Sequence, residues 1–245
     1  MNRLVAAPVV FAILLGGCVT PQPIPEMSGS QSRVEPTIVT LANSAAEAKV
    51  VQTLSLESTK IYGEGLDVPT SIRATITPTF VILSRSGWAL EDTFAGTKRA
   101  LAILAQCGIY AKRIEVMIVD APDVLNSFSN SRAKALLAKI QVSRPAVFFV
   151  HSNLELKKHE FEVVARANSK TRPELRNTIW IVRNARDVGE GLARMFMFMF
   201  LDRYEVSNDP NSLFFSDHTS YENSNINADQ CSRAVQAGNE AGLAK

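Results

Sequence analysis

"VGEGLARMFMFMFLDRY", Val188 to Tyr204, is the stretch on which the reading of the fold turns. Val188, Leu192, Met195, Phe196 and Met199 recur at i, i+4, i+7, i+8 and i+11, the stripe of an amphipathic helix. Met197 and Phe198 fall off that stripe, so the helix is apolar nearly all round and belongs inside a core. The alternative is a partner surface, because large exposed apolar patches are rare on monomers and methionine adapts to varied partners. A single carboxylate, Glu190, stands near the start, beside Gly189 and three residues before Ala193. An acid in a first helical turn is favoured by the helix dipole alone. Glu190 is therefore read two ways, as a dipole partner or as the remnant of a site.

Working outward, "NTIWIVRN" before this helix reads as a strand, and "RPAVFFVH" as a short apolar strand of the fully buried kind. "HEFEVVARAN", His159 to Asn168, alternates Phe161, Val163 and Ala165 against Glu162, Val164 and Arg166, which suits an edge strand. "SIRATITPTFVILS" is β-rich, with Pro78 expected at a bulge or an edge. In "ALEDTFAGTKRALAILAQCGI" a helix is expected with Phe94, Leu101, Leu104 and Ala105 on one face, Glu91 and Asp92 at its N-terminal end and Gly108 as its stop. "RIEVMIVDA" is a strand, and "APDVLNSFSNSRAKALLAKI" a helix starting near Pro122 or Asp123. A turn-rich "DPNSLFFSDHTSYENSN" precedes a last helix, "NADQCSRAVQAGNEAG", capped by Asn227 or Asp229. The order implies an α/β (α+β) fold: a mixed sheet packed with two or three long helices, over residues 67–240. Residues 37–66 read as a weakly helical or irregular arm. Residues 18–36 are a Pro/Ser/Gln-rich tether that cannot bury enough apolar surface to fold.

The first residues are a processing signal. Arg3 precedes an apolar run from Leu4 to Leu15, too short for a permanent membrane span of about 20 residues. "LGGC", Leu15 to Cys18, resembles the lipobox of bacterial lipoproteins. That resemblance implies cleavage after residue 17, acylation (palmitate among the chains) of Cys18 and a stable lipid anchor. Val19, where many such lipoproteins retained at the inner membrane have Asp, implies the outer membrane. A net charge of +2 from nearly balanced acids and bases argues against a nucleic-acid partner. Cys107 and Cys231 are the two remaining cysteines. An envelope compartment permits a Cys107–Cys231 bridge, and two separate buried thiols are the alternative.

"ALAILAQCGI", "NTIWIV", "SNDPNSLF" and "INADQCSRAV", in this order, resemble the catalytic domain of metzincin-type zinc proteases, and more narrowly the bacterial matrixin-like secreted proteins. The likeness covers roughly Ser71 to Gly238. It implies a zincin-like fold in which "NTIWIV" leads into the active-site helix and "SNDPNSLF" stands for the Met-turn. The family's phrase is His-Glu-x-x-His-x-x-Gly-x-x-His: three histidines bind zinc and the glutamate takes a proton from zinc-bound water. Laid on this chain with Glu190 as the glutamate, the ligand positions fall on Gly189, Ala193 and Met199. The turning glycine falls on Phe196 and the Met-turn methionine on Phe214. Only Glu190 survives. Loss of an outer-shell partner alone costs about 10–100-fold in affinity or activity, and here every ligand is gone. No metal and no other cofactor is expected.

Other chemistry is thinly represented. "HEFEV" begins like a zinc motif, but Val163 stands at the second ligand position. His151, His159 and His218 are the only histidines. No Gly-x-Ser-x-Gly elbow, phosphate-cradling loop or Cys-x-x-Cys pair occurs. The expectation is an envelope lipoprotein, held to the membrane by its lipid, with a zincin-like domain that binds a protein partner without cleaving it. Two alternatives stand beside it: an active hydrolase with an atypical site built from Glu190 and some of those histidines, and a structural lipoprotein unrelated to zincins.

Overall fold

The computed structural model describes residues 47–62, 69–154, 163–166, 171–215 and 224–245. The signal peptide and tether expected from the sequence, with Cys18, lie outside these residues, as do His159 and His218.

The first elements in chain order are β1 (Lys49–Glu57), α1 (Ser58–Tyr62), β2 (Ala74–Ile76), β3 (Thr79–Leu83) and α2 (Leu90–Ala105). There follow β4 (Ile109–Ala111), β5 (Arg113–Asp120), β6 (Ser127–Phe128), α3 (Asn130–Leu137), β7 (Ala146–Val150) and β8 (Ser152–Asn153). The last are β9 (Val163–Arg166), β10 (Thr178–Val182), α4 (Val188–Leu201) and α5 (Ala228–Glu240). The main sheet runs β1-β5-β3-β7-β10-β9. Its four inner strands are parallel, and β1 and β9 pair antiparallel at the two edges. This is the mixed α/β class expected.

β3, β7 and β10 are buried at every residue, which is why they read as continuous apolar runs rather than alternating ones. Helices cover both faces. Phe80, Ile82, Val147, Phe149, Ile179 and Ile181 pack with α2, α4 and α5. Val81, Leu83, Phe148, Val150 and Trp180 pack with α3 and Phe128. Trp180 stacks on Phe148 at 4.0 Å, and its indole N–H donates to Thr178 Oγ1 at 2.9 Å. The wide ring and its polar handle are thus both satisfied in a buried place.

α4 is buried at Leu192 and Ala193 and without interruption from Phe196 to Leu201. Met197 and Phe198, off the expected stripe, are buried as well. Val188 and Met195, on it, are only partly buried. A helix wedged between neighbours on several sides needs apolar residues all round, so the stripe understates it.

Three local expectations change. The arm over 37–66 contains a nine-residue strand, β1, in which Leu54 and Leu56 face Val116 and Ile114 of β5 in register. A bulge between Val50 and Gln52 switches which face its side chains take, and this hides the alternation from a period-two reading. Pro78 separates β2 from β3, and β3 is central in the sheet rather than at an edge. The helix expected from Pro122 or Asp123 begins later. Residues 123–125 form a single 3-10 turn, β6 follows, and Ser129 caps α3 by accepting from Arg132 N–H at 3.3 Å. α5 is capped by Asn227 with a reciprocal bond from Gln230, a full capping box. Packing continues past residue 240: Leu243 and Ala244 are buried, and Lys245 pairs through its backbone with Thr75.

Cys107, just beyond α2, and Cys231, in the first turn of α5, form a buried disulfide across a sequence separation of 124. Cross-linking residues so far apart restricts the unfolded chain strongly, by up to about 5 kcal/mol in the chain-entropy model. Cys107→Ser with Cys231→Ser is expected to lose about 2–5 kcal/mol of unfolding free energy in urea. An unchanged midpoint would show that helix packing alone holds α5 in place.

Candidate functional site

The start of α4 is built by Asp187. Its Oδ1 accepts the Glu190 backbone N–H at 2.8 Å, capping the helix, and its Oδ2 pairs with Arg99 Nε at 2.9 Å. One carboxylate thereby ties α4 to α2. Two glycines let the helices approach. A Cβ at Gly96 would come within 2.3 Å of Val188 Cγ1, and one at Gly189 within 2.5 Å of Arg99 Cβ and Cγ. The aliphatic stem of Arg99 fills the place that a side chain at residue 189 would take.

Glu190 is 3 % exposed. Its Oε1 accepts from Arg194 Nη2 at 2.8 Å, one helical turn on, while Oε2 has no partner among the described residues. Burial pushes its carboxyl above the ordinary glutamate value. Arg194 pulls it back by charge, Asp187 adds to the rise and Arg99 opposes it. A buried charge without a counterion costs several kcal/mol, so the pair with Arg194 is what makes a charged Glu190 tolerable here.

The positions that the family resemblance assigns to zinc do not fit the metal. Gly189 and Ala193 have no donor atom, and Gly189 faces Arg99. α4 runs unbroken through Phe196, where the turning glycine would stand, and ends at Asp202 in the left-handed conformation with φ 52°. Met199 therefore lies ten residues along the same helix from Gly189, roughly 15 Å at 1.5 Å per residue. Zinc bonds are about 2 Å long and thioether is a poor zinc donor, so these three cannot share an ion. Among the described residues no group of three or more His, Cys, Asp or Glu is placed to hold a metal.

"SNDPNSLF" forms a tight turn: Asp209 Oδ1 accepts from Asn211 N–H at 2.9 Å, and Ser207 N–H donates to the Phe214 carbonyl at 2.8 Å. Phe214 is buried, its ring 5.5 Å from that of Phe198. The position assigned to the Met-turn methionine thus packs on an α4 side chain. His151 sits exposed just past β7, with Nδ1 3.3 Å from the Ser86 carbonyl, and makes no hydrogen bond or ion pair with Glu190. Arg194 and Asp187 escaped the sequence reading, although both carried signals: an arginine four residues after a glutamate, and an aspartate just ahead of an apolar helix. Arg99 carried none, since its place beside α4 depends on how the helices pack.

No family model matches the chain, and no curated protein matches it. Among solved structures, metalloproteinase-II from Bacteroides fragilis is similar at 14% identity with a TM-score of 0.43, over 72% of this chain and 57% of that one. The chain thus spans less than two thirds of that structure's length.

Two outcomes follow from this geometry. Because the folded state raises the Glu190 pKa, it binds more protons than the unfolded state above the ordinary value of 4.5, so stability falls as pH rises through that window. Urea midpoints measured from pH 4.5 upward should show this slope in the wild type and a flatter one in Glu190→Gln; equal slopes would place the charge effect elsewhere. Gly96→Ala is expected to cost about 1–3 kcal/mol despite alanine's better helix propensity, because Val188 is β-branched and stiff. A stabilised variant would mean that the two helices separate easily.

Proposed function

We propose that this chain is a lipid-anchored envelope protein whose zincin-like domain binds and does not cleave. The observation that carries the reading is α4 itself. It is continuous where the family's helix turns away, and two of its ligand positions lack any donor, one of them faced by Arg99 from within the chain. The anchor rests on Leu15 to Cys18 and on the apolar run before them. No described helix is long and apolar enough to cross a membrane. The binding edge proposed is β9, the last antiparallel strand of the sheet among the described residues, where an extended segment of an envelope protein would add by main-chain hydrogen bonds.

A second reading is favoured by one feature: a buried carboxylate with a raised pKa and an unpartnered oxygen is the kind of group active sites hold. On that reading the chain is a hydrolase using Glu190. Elemental analysis together with peptidase assays of wild type and Glu190→Gln separates the two. The binding reading expects no stoichiometric zinc, no peptidase turnover that depends on Glu190, and a photo-crosslinker at Ala165 that captures an envelope protein in membranes. Bound zinc, or turnover abolished by Glu190→Gln, would overturn it.

A further inference from the structure

The segments that follow β3 and β10 line, with the first half of α2, an open cavity of about 430 Å³. It is of the size that small ligands occupy, and the crevice outside the carboxyl ends of parallel strands is where open α/β sheets bind them. It is separate from the β9 edge and does not depend on the function proposed above.

One wall is rigid. Trp88 donates its indole N–H to the Val150 carbonyl at 3.0 Å and meets Phe149 edge-on at 5.1 Å. The neighbouring Gly87 has φ +79°, and a Cβ there would fall 2.6 Å from Arg183 Nη1. Glycine is needed for the turn, and its bare Cα leaves room for the guanidinium beside it. Arg183 lines the cavity and makes no ion pair or side-chain hydrogen bond among the described residues. Arg186 adds a second positive charge to the lining, whereas Asp187 is already engaged by Arg99 and by the Glu190 N–H. Asp92 is the opposing charge, and it disfavours a doubly charged anion more than a singly charged one.

We propose that this cavity binds a small organic carboxylate, its anionic group on the Arg183 guanidinium and its apolar part against Trp88. A planar guanidinium matches a carboxylate in bidentate fashion, and the indole face supplies an apolar wall. The test follows the two indole N–H resonances of the full domain while sodium benzoate, neutral benzamide and inorganic phosphate are titrated at constant ionic strength. Trp180, buried on the other face of the sheet, is the internal reference. Benzoate should shift the Trp88 signal saturably in the millimolar range or below, and benzamide and phosphate should not. Arg183→Ala and Arg183→Lys should weaken benzoate binding by about tenfold or more, and Asp92→Asn should tighten it. These positions are at the surface, so a folded variant is expected in each case. Acetyl-phenylalanine, compared with benzoate, distinguishes the end of a peptide from a free acid, since an N-acylated acid that binds more tightly marks the peptide end. No saturable shift, an equal response to benzamide or to phosphate, or benzoate binding that ignores Arg183→Ala would each overturn the proposal.

Discussion

The burial of α4 is the constraint on which the rest of the molecule depends. Its second half places Phe196, Met197, Phe198, Met199, Phe200 and Leu201 out of water together. Each such side chain contributes roughly 1.5–3 kcal/mol on transfer from water. Neighbouring elements are shaped to receive them. Phe196 and Phe200 stack at 6.1 Å, Phe198 meets Phe214 and Tyr204, and Gly238 of α5 lets that helix come within contact of Phe200. A helix so enclosed cannot bend aside to present groups to an ion without exposing this surface. The continuity of α4 and the run of apolar side chains along its second half are therefore two expressions of one packing arrangement.

At the other end of the same helix, charge does what apolar contact does further along. Arg99 pairs with Asp187 at 2.9 Å and Glu190 with Arg194 at 2.8 Å, two ion pairs that run from α2 into α4. Where a zinc ion would supply positive charge to a buried glutamate, a guanidinium from the next turn does so. The arrangement offsets part of the cost of burying Glu190. Its backbone N–H is capped and one oxygen is paired, while the second oxygen has no partner among the described residues. The carboxylate lies in the first turn, as the dipole favours, and it is buried, which the dipole does not require.

The contrast between elements that could be read and those that could not follows from range. α2, β5, β7, β10, α4 and α5 were legible because burial on one or both faces imposes a period or an unbroken apolar run on local sequence. The Asn227 cap of α5 was legible because capping is chemistry between residues three apart. β1 was not, because its bulge moves Val50 and Leu54 to opposite faces while their even spacing says the same face. The start of α3 was misplaced because a 3-10 turn and a two-residue strand carry no periodic signal at all. Within the site, the Glu190–Arg194 pair was written at i and i+4, whereas the Arg99 contacts span two helices and left no local trace.

Read alone, the amino-acid order settles composition, the apolar character of α4, the identity of each residue at Gly189, Ala193 and Met199, and hence that no imidazole stands there. Those are properties of single residues and of neighbours within one or two turns. Which strands lie beside which, that Cys107 meets Cys231, that Arg99 fills the space over Gly189 and that Trp88 and Arg183 share a cavity are decided only when the chain closes on itself. Each of these joins residues far apart along the chain through contacts of a few ångströms, and such contacts exist only after the sheet and its two helical layers have formed.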